Sequence, residues 1–127
     1  MNTPKQLETV ILKLKETGAK FKIENNRIFV SASRKLKPVN VKTDVYPGFP
    51  TDLQQPIIPF LTQCHGTSYV EETIYENRFM NIPDTVKMGA RIEVSDDNRF
   101  ATIHGKTELV GKNVVATDLR GGASMVI

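Results

Sequence analysis

The feature that most constrains this chain is that it repeats itself. Gly18-Ala19-Lys20-Phe21-Lys22-Ile23, then a polar turn and Arg27-Ile28, is matched by Gly89-Ala90-Arg91-Ile92-Glu93-Val94, then a polar turn and Arg99-Phe100. Thr51-Asp52-Leu53-Gln54 is likewise answered by Thr117-Asp118-Leu119-Arg120. The copies stand about 70 residues apart, so whatever the first folds into, the second should fold into as well. The patterning inside each copy reads as helix, hairpin, strand and helix. That gives an α/β (α+β) fold of tandem units within one partial domain spanning 1–127, unit one over about 3–74 and unit two over about 79–127. The second copy reads as truncated, because apolar Met125-Val126-Ile127 closes the chain where a natural terminus is usually polar and at the surface. The expectation is a piece of a larger repeat protein.

Local signals place the elements. Thr3-Pro4-Lys5-Gln6 is a capping box with proline at the first helical position, Leu7, Val10, Ile11 and Leu14 repeat at helical spacing, and Gly18 stops the helix. Phe21–Ile23 and Arg27–Val30 alternate around Asn25-Asn26, a hairpin signal. Ser31 to Pro38 is a basic loop with Arg34, Lys35 and Lys37, open to an anion or simply to water. Val39, Val41 and Thr43 alternate as a strand, Pro47-Gly48 and Pro50 stiffen the turn after it, and Thr51 with Gln54 forms a second capping box. The helix that follows, from Asp52 to about Cys64, carries Pro56 and Pro59. A proline inside a helix costs about 3 kcal/mol, so its start should be irregular. Thr67–Ile74 reads as a strand and 75–80 as its connection. A short helix follows from about Ile82 to Gly89, then strands at Arg91–Val94 and Phe100–Ile103, a strand near Asn113–Ala116, and a helix opening at 117–120.

Few residues can carry chemistry. Asp52 can serve as a general base or hydroxyl acceptor, or as an acid placed to cap its helix; Asp118 at the equivalent place favours capping for at least one of the two. Arg78 and Arg120 follow strand ends and suit bidentate contact with phosphate or carboxylate, or a surface ion pair. Cys64, late on an apolar helix, reads as a small buried residue. His65 and His104 have no partners at metal-ligand spacing, and Gly121-Gly122 lacks the spacing and lysine of a phosphate loop, so neither a metal nor a cofactor is expected.

Composition narrows the class further. The net charge of +3 is too mild for a nucleic-acid binder, although it suits anionic ligands. No apolar run reaches membrane-spanning length, no signal-peptide pattern opens the chain, and one cysteine cannot form an internal disulfide; together these read as cytoplasmic, with no membrane partner.

Three segments resemble a known family. Tyr46-Pro47-Gly48-Phe49-Pro50-Thr51-Asp52-Leu53-Gln54, Glu72-Thr73-Ile74-Tyr75-Glu76-Asn77-Arg78-Phe79-Met80 and Ala116-Thr117-Asp118-Leu119-Arg120-Gly121-Gly122-Ala123 are similar to segments of the bacterial UDP-N-acetylglucosamine enolpyruvyl (1-carboxyvinyl) transferases, in the EPSP synthase-like superfamily. The resemblance runs the whole length of the chain. It implies an inside-out α/β barrel whose two domains are each built from three small α/β units around buried helices, with the active site between them. It implies a reaction that moves the enolpyruvyl group of phosphoenolpyruvate onto the 3-hydroxyl of UDP-N-acetylglucosamine, releasing phosphate, as the committed step of peptidoglycan synthesis.

Carried over by motif, Asp52 is the catalytic carboxylate that hydrogen-bonds the sugar 3-hydroxyl and acts as base. The main chain at Ile74 contacts the nucleotide sugar, and Arg78 and Arg120 belong to the arginines that balance anionic substrates. The family's lysine–asparagine pair, its cysteine-bearing loop with a neighbouring arginine, and a late arginine have no counterpart here, and Cys64 is not on the loop motif. The chain alone is therefore expected to be catalytically silent, with some tendency to self-associate. A free-standing module binding nucleotide sugars or other anions is the alternative, and an enzyme of shikimate phosphate is a third reading that the first two motifs do not support.

Overall fold

A computed structural model describes residues 5–32, 34–116 and 118–127. Thr3, Pro4 and Thr117, on which two of the expected helix starts depend, lie outside these. The first helix, α1, spans Lys5–Glu16 and gives way at Gly18, whose φ of 98° is open to glycine at little cost. Ile11 is buried on its inner face. Strands β1 (Lys20–Glu24) and β2 (Arg27–Ser31) pair antiparallel across Asn25 and Asn26, both at positive φ, as a tight twist-matched hairpin turn requires. They form a sheet of their own, and β2 is exposed along its length. Arg34, Lys35 and Lys37 of the basic loop are all exposed.

The second sheet has four strands in the order β3-β4-β6-β5: β3 (Val41–Lys42), β4 (Thr67–Glu71), β5 (Arg91–Val94) and β6 (Phe100–His104). β3 runs parallel to β4, while β4–β6 and β6–β5 are antiparallel. The inward residues alternate, Ser68 and Val70 on β4 and Ala101 and Ile103 on β6. Against them lies α2 (Gln54–Leu61), whose Ile57, Ile58 and Leu61 join Val39, Val41, Phe49, Phe79 and Ile82 in one core.

Several expected boundaries shift, each for a visible reason. The strand expected over 39–43 keeps only Val41–Lys42 in the ladder: the Val39 N–H goes to the Ser68 hydroxyl (3.2 Å), and Thr43 makes a lone bridge to Phe49. The strand expected to reach Ile74 stops at Glu71, because the Glu72 side chain captures the N–H groups of Ile74 and Tyr75. The strand expected at Asn113–Ala116 does not form; β3 is extended because β4 lies beside it, and no described strand lies beside 113–116. Residues 119–124 do form a helix, α4 (Leu119–Ser124).

The expected irregularity of the proline-bearing helix takes the form of a 3₁₀ turn at Thr51–Leu53 running into α2. Pro56 falls in the first turn of α2, where its missing N–H leaves no gap. Pro59 falls inside and orphans the carbonyl of Gln55; the Asn81 side-chain amide, just before α3 (Ile82–Lys87), donates to that carbonyl at 3.1 Å. In α4 the two glycines are spacers. A methyl group on Gly121 would stand 3.0 Å from Asn81 Cβ, and one on Gly122 2.6 Å from Ala116 Cβ, so the two glycines let α4 lie close to those side chains.

Candidate functional site

The turn that carries Asp52 is built differently from the expected capping box. Thr51 does not cap: its hydroxyl donates to Glu72 Oε1 at 2.6 Å, and no side chain caps the turn. Gln54 is fully buried. Asp52 does not cap either. It points outward, 59% exposed, and its Oδ1 meets Arg120 Nη2 at 3.3 Å. The capping role belongs to Asp118, whose Oδ2 accepts from the N–H groups of Arg120 (3.1 Å) and Gly121 (3.0 Å). Arg120 therefore extends from the first turn of α4, not from a strand end.

These pieces meet in one cleft of about 560 Å³, lined by Asp44, Val45, Tyr46, Pro50 and Thr51 together with Asp52, Ile74, Tyr75, Arg78 and Arg120. All four residues singled out from sequence border it. The loop 44–50 is held at its ends by Asp44 N–H to Phe49 carbonyl (3.1 Å) and Gly48 N–H to Val45 carbonyl (2.7 Å), and from outside by the Thr9 hydroxyl on the Pro47 carbonyl (2.6 Å); its Tyr46–Pro47 bond is cis. Arg78 stacks over the Tyr75 ring at 4.4 Å, and its carbonyl accepts from the Gln55 amide at 3.1 Å. The Ile74 N–H is spent on Glu72 Oε2 at 2.9 Å, so the main-chain group Ile74 offers a ligand is its carbonyl oxygen.

The cleft thus gathers two guanidiniums and the carboxylates of Asp44 and Asp52, with Arg120 paired to Asp52. Such a wall can accept a hydroxyl at Asp52 while arginine forks engage an anion. The N–H of Gly121 above all, then that of Arg120 and the Arg78 and Arg120 guanidiniums, hold the Asp118 carboxyl below the usual range. Because the folded value is depressed, the stabilisation is present at neutral pH and is lost as pH falls through the folded value. Asp118→Ala is expected to cost about 1 kcal/mol at pH 7, and the gap from wild type should narrow in melts taken below the ordinary aspartate value of about 4. Cys64 is buried in the core, where desolvation pushes its thiol up to about 11, so it is no nucleophile. Among the described residues no three histidine, cysteine or acidic side chains cluster as metal ligands.

Sequence reasoning missed Glu72 and its partners Thr43 and Thr51. A signal was present: continuing the inward alternation Ser68, Val70 one step places a carboxylate in the core.

The fold is that of an enolpyruvyl transferase domain. It superposes on the enolpyruvyl transferase NikO from Streptomyces tendae with a TM-score of 0.85 at 23% identity, over 94% of this chain and 28% of that one. The chain belongs to the EPSP synthase (3-phosphoshikimate 1-carboxyvinyltransferase) family, whose sequence profile matches residues 2–127. It is 46% identical to UDP-N-acetylglucosamine 1-carboxyvinyltransferase 2 of Listeria monocytogenes serotype 4b and 48% identical to that of Bacillus cereus, over 98% of its length in each case. It spans 29% and 28% of those relatives.

Proposed function

We propose that this chain forms one wall of the substrate cleft of a UDP-N-acetylglucosamine 1-carboxyvinyltransferase of peptidoglycan synthesis. The observation that carries the reading is the convergence of Asp52, Ile74, Arg78 and Arg120 on a single cleft. Asp52 accepts a hydrogen bond from the sugar 3-hydroxyl and takes its proton as the oxygen attacks the enolpyruvyl carbon of phosphoenolpyruvate; phosphate leaves. Arg120, already in contact with Asp52, orients the carboxylate. The Ile74 carbonyl accepts from the sugar nucleotide, and Arg78 with Arg120 balances the anionic substrates. Relatives 46–48% identical and named for UDP-N-acetylglucosamine favour that acceptor over 3-phosphoshikimate, and favour a transferase over a free-standing binding module.

The tandem organisation, with units over about 3–74 and 79–127, belongs to the same reading, as does a cytoplasmic setting without nucleic-acid or membrane partners. No helix among the described residues is long and apolar enough to cross a membrane. The groups on this wall lie open to solvent, so the 127-residue chain is expected to release no phosphate by itself. Exposed Leu119, Val126 and Ile127 give it an apolar edge suited to self-association.

Titration of UDP-N-acetylglucosamine into the labelled chain, followed by amide shifts, tests the reading. Shifts centred on Asp52, Ile74, Arg78 and Arg120 at millimolar ligand are the expected result. No shifts there, or shifts with shikimate 3-phosphate and none with the sugar nucleotide, would overturn it.

A further inference from the structure

Among the described residues, the one acidic or basic side chain that is buried is Glu72, with no exposed surface. A bare carboxylate in a core is expensive, and one that is kept must be met by donors. Here four hydrogen bonds converge on it, and none comes from a cation. The Thr51 hydroxyl donates to Oε1 at 2.6 Å. The Thr43 hydroxyl donates to Oε2 at 2.6 Å, and its own oxygen accepts from the Thr73 N–H at 2.8 Å, which fixes the direction of that bond. The N–H groups of Ile74 (2.9 Å) and Tyr75 (3.4 Å) complete the set on Oε2.

These donors come from three separate stretches of chain: the end of β3, the 3₁₀ turn at Thr51–Leu53, and the segment that follows β4. The last two form two separate lips of the cleft wall. One carries Asp52, the other the Ile74 carbonyl and the Tyr75–Arg78 stack. The donors to Oε1 and Oε2 therefore tie both lips to a single rigid carboxylate. Charge-assisted bonds of this kind are shorter and stiffer than neutral ones, so the frame they make is a defined one.

We propose that Glu72 is the positioning residue of this cleft. Through Thr51 on one side and the Ile74–Tyr75 amides on the other, it sets the distance between the Asp52 carboxylate and the Ile74 carbonyl. Glu72 touches no ligand; it acts through the groups that do. What the distance serves rests on the function proposed above, whereas the coupling of the two lips does not.

The test is a double-substitution cycle in the full 127-residue chain, read by amide hydrogen exchange and by UDP-N-acetylglucosamine titration. Thr51→Val keeps the side chain's shape and removes one donor from one lip. It should speed exchange at Ile74 and Tyr75, on the other lip, by about fivefold or more, and weaken the ligand affinity read at Asp52 by about tenfold. Thr51→Ser should restore both. In a Glu72→Gln background, where the carboxamide keeps an acceptor for Ile74 but offers Thr51 only an uncharged NH₂, adding Thr51→Val should speed exchange at Ile74 by less than it does in the wild-type chain. A core variant such as Ile58→Val, compared at equal distance below its melting temperature, should leave the Ile74 and Tyr75 signals in place, which separates positioning from bulk stability. Unchanged exchange in Thr51→Val, or changed exchange with unchanged affinity, would overturn the proposal. A wild-type chain that shows no ligand shifts would overturn the functional reading alone, and the coupling between the lips would then decide this one.

Discussion

Asp52→Asn is expected to remove turnover and leave the fold in place. Among the described residues the carboxylate makes no cap and no buried contact, and its one partner there is Arg120 at 3.3 Å, with the two side chains 59% and 39% exposed. An ion pair so exposed is worth about 0–1 kcal/mol, and a carboxamide keeps part of it as a hydrogen bond. The melting temperature should therefore move by no more than about 4 °C. The chemistry is another matter. In the role proposed for Asp52, a carboxamide would keep the oxygen that accepts from the sugar hydroxyl but take no proton at neutral pH, and a placed general base contributes about 10²–10⁴-fold to rate. Phosphate release in a transferase that contains this chain and the opposite wall should thus fall by about 100-fold or more in kcat, with the KM for UDP-N-acetylglucosamine little changed. Turnover near wild type would remove Asp52 from the mechanism. A loss of stability beyond about 1 kcal/mol would mean that the Arg120 contact is structural after all.

What sequence could show and what it could not follows the range of the interactions. The hairpin at Asn25-Asn26 was legible because its turn chemistry is local, and both asparagines adopt the positive φ that such a turn needs. The convergence of Asp52, Ile74, Arg78 and Arg120 became legible through resemblance, since no spacing rule brings residues this far apart in sequence to one cleft. The capping box at Thr51 was misread because a threonine hydroxyl has more than one taker: Glu72, 21 residues away, is charged and buried, and it outbids the turn's own amides. The same carboxylate ended β4 early, by bonding amides only two and three residues further on. The strand expected at 113–116 failed for the converse reason, a β-forming sequence with no described neighbour to complete its ladder. Sequence pattern measured willingness to be a strand; pairing decided it.

Phe49→Ala is expected to be the most damaging single change to both stability and site, and it separates two ways of losing a ligand. Phe49 is 2% exposed, in the core with Ile58 and Leu61, and truncating a buried phenylalanine costs about 3–5 kcal/mol. Against a total of about 5–15 kcal/mol for a domain, that is a large fraction, worth roughly 10 °C or more in melting temperature at this size. Leu61→Ala, also fully buried, should cost a comparable 2–5 kcal/mol. The two differ in what the side chain anchors. Leu61 ends α2, away from the cleft, whereas Phe49 pins the loop 44–50 to the core, bridging Thr43 and accepting at its carbonyl from Asp44 N–H. Asp44, Val45, Tyr46 and Pro50 of that loop are cleft wall. Titrated with UDP-N-acetylglucosamine well below both melting temperatures, Leu61→Ala should still show shifts at Asp52 and Ile74, while Phe49→Ala should lose them. If both variants bind like wild type, the loop is not part of the wall; if both fail, recognition depends on global stability and the anchor at Phe49 has no special part in it.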